Sequence, residues 1–283
     1  MSGFSCILIG GKNLTIECGN RLLAAGHRIA SVVAGHKDVA DWARQSGLDV
    51  FQSVGDLRET EERVDYIFSI ANLEMVPSDV LGLARQGGIN FHDGPLPNYA
   101  GLNVPVWAIL AGEKTHGITW HVMEDGADRG DIVVQRDFDI AEDETALSLN
   151  AKCFAAGVES FDDVLSEIAG GFPNRRAQDF SERQYFERDR KPAHMGQLDF
   201  RSGAAEVVRL VRALDHGDYD NPVASAWFQQ AGQAVLVGAA EGTDGEGAPG
   251  QVLAVRSDGV DVAVAAGAVR LSGLQDSFGN AVD

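Results

Sequence analysis

Two side chains set two residues apart, Asn90 and His92, leave the apolar run around Ile89 and Phe91. On an extended segment that spacing points both to one side. An amide donates hydrogen bonds without changing its charge, and an imidazole gains or loses a proton near neutrality. The residues that follow, Gly94-Pro95-Leu96-Pro97-Asn98-Tyr99-Ala100-Gly101, are rich in Pro and Gly and predict a rigid loop rather than more strand. Polar groups at a strand end beside a loop are where an open α/β sheet places its chemistry. A second polar stretch, Met123 to Ile132, adds the carboxylates Glu124, Asp125, Asp128 and Asp131. An amide, an imidazole and a carboxylate together can stabilise an oxyanion and move a proton.

Three blocks stand in order along the chain: Asn90-x-His92, then Leu96-Pro97-Asn98-Tyr99-Ala100-Gly101, then Gly126-Ala127-Asp128-Arg129-Gly130. In order and spacing they resemble the formyltransferases that use 10-formyltetrahydrofolate. That family carries Asn-x-His, Leu-Pro-x-Tyr-x-Gly and Gly-x-Asp-x-Gly. It includes methionyl-tRNA, glycinamide ribonucleotide and sugar N-formyltransferases. Taken singly, Asn90 would serve as a turn cap and His92 as a hydrogen-bonded core residue. The shared register of the three blocks favours catalysis instead. The resemblance implies Asn90, His92 and Asp128 as catalytic residues. Asp125 and Asp131 compete for the carboxylate role, and the register selects Asp128. It also implies 10-formyltetrahydrofolate as cosubstrate, in a pocket walled by Ile70, Ala71, Asn72 and Phe91 and by Glu124, Asp125, Gly126 and Ala127. One departure stands out. Gly94-Pro95-Leu96-Pro97 replaces the Ser-Leu-Leu-Pro of many members, which bears on contacts to the acceptor.

These residues need a scaffold. Phe4 to Ile9, Ile29 to Ala34, Val50-Phe51, Tyr66 to Ala71 and Ile89 to His92 read as buried strands. Between the first three, helix patterns start near Thr15 and Val39 and stop near Gly26 and Gly47, residues suited to helix ends. Pro77 suits the first turn of a further helix running to Arg85. The alternation predicts a doubly wound, Rossmann-like α/β sheet. Gly10-Gly11 lacks the full glycine fingerprint of dinucleotide binding. Val104 to Ala111 reads as a helix, Ile118 to Met123 and Ile132 to Gln135 as strands joined through the Asp128 turn, and Glu144 to Ile168 as a long helix. Composition then shifts. Residues 173–194, where Arg alternates with acidic residues, read as a solvated linker. Short strand patterns after a helix near Ala204 to Leu214 predict a small OB-like β-barrel, which the resemblance also implies. The expected division is 1–172 catalytic domain, 173–194 linker and 195–283 C-terminal domain.

The formal net charge is -19 among 283 residues. Nucleic-acid binding rests largely on Lys and Arg neutralising phosphates, so this balance speaks against a nucleic-acid partner. The family's tRNA-directed members carry a basic insertion after the second strand. Here Ala34-Gly35-His36-Lys37 runs straight into a helix. Around Arg212 to Gly217 and Tyr219-Asp220-Asn221-Pro222 the chain resembles formyltransferase domains of nonribosomal peptide and polyketide synthases. That resemblance implies an aminoacyl group on a carrier-protein arm as acceptor, with the chain as part of a larger synthetase polypeptide. A nucleotide-amino-sugar acceptor and a formate-releasing hydrolase are the alternatives. Cys6, Cys18 and Cys153 have no metal-ligand spacing, and the His residues form no metal cluster, so no metal is expected. Reduced cysteines, no signal-peptide pattern and no long apolar run imply a cytoplasmic protein without a membrane partner.

Overall fold

The computed structural model describes residues 3–219 and 221–282; Asp220 of the Tyr219–Pro222 segment and the chain ends lie outside the described residues. Chain order runs β1 (Ser5–Gly10), α1 (Asn13–Ala24), β2 (Arg28–Ala34), α2 (Lys37–Gln45), β3 (Asp49–Phe51), β4 (Tyr66–Ile70), α3 (Ser78–Leu81) and β5 (Gly88–His92). It continues with β6 (Ala100–Gly101), α4 (Val104–Ala111), β7 (Thr115–Val122), β8 (Ile132–Asp139), α5 (Ala146–Ala169) and β9 (Tyr185–Phe186). Last come α6 (Ala204–Ala213), β10 (Trp227–Gln230), β11 (Gln233–Leu236), β12 (Ala239–Thr243), β13 (Val252–Arg256), β14 (Gly259–Ala263) and β15 (Ala268–Ser272). The chain divides into two compact units. The first holds the residues up to Leu102, His116–Phe138 and Ala151–Phe186; the second holds Asn103–Thr115, Asp139–Asn150 and the residues from Glu187 on.

The first unit is built on a seven-stranded sheet in the order β3-β2-β1-β4-β5-β7-β8. β1 to β5 pair in parallel, and β7 joins β5 antiparallel. A parallel sheet is covered on both faces, so its strands read as continuous apolar runs. Cys6 and Leu8 enter one core with Phe68, Leu14, Cys18 and Phe161, whereas Ile7 and Ile9 enter a second core with Ile67, Leu57 and Val80. α1 buries Leu14, Cys18 and Leu22, spaced four apart on one stripe. Gly19 lets α1 and α2 approach: a Cβ there would lie 2.2 Å from the Trp42 ring. Cys6, Cys18 and Cys153 are free and buried, and burial pushes the Cys6 thiol up to about 12.

Two elements depart from the sequence reading. Pro77 is the N-cap of α3, not its first residue, and the helix stops at Leu81 rather than Arg85. Beyond it the backbone is captured by the segment before β4: Val64 N–H donates to Leu83 C=O at 3.1 Å, and Arg85 N–H to Val64 C=O at 2.9 Å. The segment read as a solvated linker is also ordered. β9 pairs in parallel with β6, and Gln178 is buried.

In the second unit β12, β15, β14 and β13 form an antiparallel sheet in that order, with β10–β11 as a separate hairpin. The C-terminal β unit thus takes the form of a four-stranded sheet plus a hairpin. β12, with sequence Ala-Ala-Glu-Gly-Thr, has no apolar alternation and is legible only through its full register with β15. Asp261 is 4% exposed on β14 and bracketed by Arg256 at 2.6 Å and Arg270 at 2.8 Å. Those two guanidinium groups hold its carboxyl down to about 2.

Candidate functional site

β5 alternates as a strand must: Ile89 and Phe91 enter the main core, which leaves Asn90 and His92 to the opposite face. Antiparallel pairing sets His121 of β7 directly across from Asn90, and Thr119 across from His92. Asn90 Nδ2 lies 3.1 Å from His121 Nε2. His121 Nδ1 lies 2.8 Å from Val122 C=O, which can only accept, so Nδ1 carries a proton and Nε2 is the nitrogen left facing the Asn90 amide. One Asn90 N–H is turned to it, and the second remains a donor for another oxygen.

His92 is 5% exposed, and its Nε2–H donates to Tyr99 C=O at 2.7 Å. That bond commits Nε2 and leaves Nδ1 as the nitrogen turned toward the site. Nδ1 faces two carboxylates, Asp128 Oδ1 at 3.7 Å and Asp93 Oδ1 at 3.8 Å. Asp128 Oδ1 also lies 3.4 Å from His121 Nε2, and its Oδ2 accepts the Gly101 N–H at 2.8 Å. Burial alone would raise the Asp128 carboxyl. Interaction with His92 and His121 and the Gly101 N–H outweigh it and hold the group well below the usual carboxylate range. Asp93 behaves oppositely: burial raises it, and His92 only partly offsets that.

The loop after β5 is pinned from below. Thr119 Oγ1–H donates to Gly94 C=O at 2.8 Å and accepts Leu96 N–H at 3.1 Å, while Gln135 donates to Leu96 C=O at 2.8 Å. Leu96 and Ala100 pack with Ile132 as a small core of their own.

The structure brings Asn90, His92 and Asp128 together through His121. Asp131 is instead paired with Arg175 at 2.7 Å, and Asp125 lies exposed on the loop. Of the expected pocket walls, Glu124, Asp125 and Gly126 line a groove of about 280 Å³ with Met75, Pro77 and Leu81. Ile70 and Phe91 are core residues, Phe91 packed edge-on against Trp120. Ala71 takes a left-handed φ of 49°, Asn72 turns its amide back onto Glu74 C=O at 2.8 Å, and Ala127 C=O accepts from Arg183 at 2.8 Å. The apolar side of the groove suits a flat heterocycle, and the exposed loop Glu124–Gly126 supplies polar backbone. His116, buried, donates Nε2–H to Asp93 C=O at 2.8 Å; burial lowers it to about 4, so it stays neutral. Among the described residues, no cluster of His, Cys, Asp or Glu could hold a metal ion.

None of the three motif blocks contains His121, Asp93, Gln178 or Arg183. His121 carries no motif signal, and only the β5–β7 register sets it against Asn90.

Comparison with known proteins shows the family of the chain. The formyl transferase family matches residues 17–165, which include Asn90, His92 and Asp128, and the formyl transferase C-terminal domain family matches residues 191–283. The methionyl-tRNA formyltransferase of Chromobacterium violaceum is 31% identical over 96% of this chain and 92% of its own. That of Geobacter metallireducens is 28% identical over 97% and 92%. Among solved structures, an N-formyltransferase from Helicobacter canadensis in complex with folinic acid and dTDP-3-aminofucose shares the fold, with TM-score 0.75 and 17% identity over 96% of this chain and 99% of that one. HypX from Aquifex aeolicus in complex with tetrahydrofolic acid does so with TM-score 0.70 and 20% identity, over 98% of this chain but only 45% of HypX. The chain belongs to the 10-formyltetrahydrofolate-dependent formyltransferase family.

Proposed function

We propose that Asn90, His92 and Asp128 are the residues with which this enzyme moves a formyl group from 10-formyltetrahydrofolate to an amine. The observation that carries the reading is the convergence of His92 Nδ1 on Asp128 at 3.7 Å beside Asn90. As the amine adds to the formyl carbon, negative charge develops on its oxygen. Asn90 donates an amide N–H there without changing its own charge. His92 takes the amine's proton at Nδ1, because Nε2 is committed to Tyr99 C=O. Asp128 stabilises the imidazolium that forms, after which the proton is available to the leaving nitrogen. A carboxylate held so far below its ordinary range is a weak base, so stabilising that cation is its main contribution. When bound, the folate supplies the activated formyl group. The groove along Glu124–Gly126 and Met75–Ser78 would hold it, with Ala71, Asn72 and Ala127 supplying neighbouring backbone.

For the acceptor, the reading is an aminoacyl group on a carrier-protein arm. Two observations favour a small or tethered amine: the net charge of -19, and the bare Gly35-His36 link between β2 and α2. The free, buried cysteines suit a reducing compartment, the cytoplasm. A second reading is aminoacyl-tRNA, favoured by methionyl-tRNA formyltransferases that align with nearly the whole chain. Mass spectrometry of reactions with 10-formyltetrahydrofolate tests these. The arms are carrier-bound amino acids, nucleotide-amino-sugars, methionyl-tRNA and no amine. A formyl adduct on the carrier arm alone is the expected result. Preferential formylation of methionyl-tRNA would establish the second reading, and formate release without any amine would mark a hydrolase.

A further inference from the structure

The turn that carries Asp128 does not stand by itself. Asp128 sits at a φ of 51°, a left-handed conformation uncommon for non-glycine residues, which its surroundings impose here. Two side chains, both some fifty residues further along the chain, supply that imposition. Gln178 Nε2 donates to Gly130 C=O at 2.6 Å and to Asp128 C=O at 3.1 Å. Arg183 donates from one guanidinium nitrogen to Asp128 C=O at 2.8 Å and from the other to Ala127 C=O at 2.8 Å. The planar fork of Arg183 thus spans two successive carbonyls of the turn. Its own rotamer is restricted by the rings of Phe180 and Tyr185, 5.9 and 5.3 Å away.

The same segment also sets the partners of both catalytic side chains. Ala100 N–H donates to Gln184 C=O and Leu102 N–H to Phe186 C=O, each at 2.9 Å, which builds the β6–β9 pair. Between those bonds lies Gly101, whose N–H holds Asp128 Oδ2. Just before them lies Tyr99, whose carbonyl holds His92 Nε2 and whose ring stacks on Phe186 at 5.3 Å and 7°.

We infer that residues 178–186 form a positioning strap, with Gln178 and Arg183 as positioning residues that fix the Asp128 turn against His92. This rests on the reading of Asp128 as a catalytic group. The strap touches the backbone around the reacting side chains, so it sets geometry rather than substrate affinity. Displacing a catalytic group by an ångström costs up to about 100-fold in rate.

The test uses the full chain and follows formyl transfer to the best acceptor found. Arg183→Ala and Gln178→Ala are expected to lower kcat by about 10- to 100-fold, with KM for 10-formyltetrahydrofolate little changed. Low concentrations of guanidinium ion should restore part of the turnover of Arg183→Ala. Arg183→Lys, which keeps one donor, should fall between it and the wild type and serves if Arg183→Ala does not fold. Adding Arg183→Ala to Asp128→Asn should cause little further loss, because the two act through one group. Wild-type turnover in Arg183→Ala and Gln178→Ala, beside an inactive Asp128→Asn, would overturn the strap alone. So would losses that only track a lower melting temperature and gain nothing from guanidinium. Full turnover in Asp128→Asn would instead remove the catalytic reading and the strap with it.

Discussion

At the scale of single residues, the site is an exercise in keeping one charge state for each group. Asp128 is held ionised by His92, His121 and Gly101 against the pull of burial, while Asp93 is raised by burial and His116 is kept neutral. One consequence is spectroscopic. The Asp128 carboxyl carbon is expected to show no titration step near pH 4, where an ordinary Asp titrates, whereas Asp93 is raised above that ordinary value by burial. Carbon NMR of the wild type against Asp128→Asn checks this, and a mid-range transition for Asp128 would contradict it. A second consequence is kinetic. Asn90→Ala and His92→Ala should each lower turnover by about 100- to 1000-fold, the usual cost of one oxyanion donor or proton-transfer group. Circular dichroism should show the fold intact, and near wild-type turnover in His92→Ala would sink the mechanism.

At the scale of elements, strand pairing decides which side chains meet. β5 presents Asn90 and His92 because Ile89 and Phe91 are claimed by the core, and β7 answers with His121. The short β6–β9 pair is more exacting. Gly101 has a φ of 100°, and a Cβ there would lie 2.1 Å from the Phe186 carbonyl oxygen. Gly101→Ala is therefore expected to destabilise the first unit by about 1–3 kcal/mol through backbone strain. It should also disturb the N–H that holds Asp128, so thermal melting and turnover should fall together. An unaltered melting curve would show that this pair is not needed.

At the scale of the whole molecule, charge and buried ion pairs are the levers. Asp261, between Arg256 and Arg270, is held down to about 2, so its pairing strengthens the second unit above the ordinary Asp range near 4 and is lost as pH falls through about 2. Asp261→Asn should lower the melting temperature at pH 7, and its deficit against the wild type should shrink between about pH 4 and 2. A deficit that is constant with pH would place the effect in packing instead. The acidic surface predicts weak, salt-insensitive binding of tRNA; efficient methionyl-tRNA formylation that falls steeply with salt would reverse that expectation. Around the proposed acceptor motif, Asn221 spends its amide on Leu214 C=O at 2.6 Å and its oxygen on Val223 N–H at 2.8 Å, a turn-holding role. Arg175, Arg176 and Arg183 bond Asp131, Gln135 and the Asp128 turn, so these arginines of the 173–194 segment already have internal partners.

The sequence alone determined what depends on local chemistry. Apolar runs bounded by glycines gave the order of strands and helices through α2, and α4 at its exact residues, because burial and chain reversal leave a local pattern. The resemblance of the three blocks to the formyltransferase family singled out Asn90, His92 and Asp128 as candidates, and the fold sets them in one cluster. The tertiary structure decided what depends on residues far apart in the chain. α3 is cut short because Val64 takes the backbone beyond it, and β12 exists because β15 offers a full register. His121 becomes a partner of Asn90 only across β5 and β7. Gln178 and Arg183, which looked like part of a solvated linker, bond carbonyls of the Asp128 turn. Backbone carbonyls have no sequence signature, so a side chain that recognises them is invisible until the fold brings the two together.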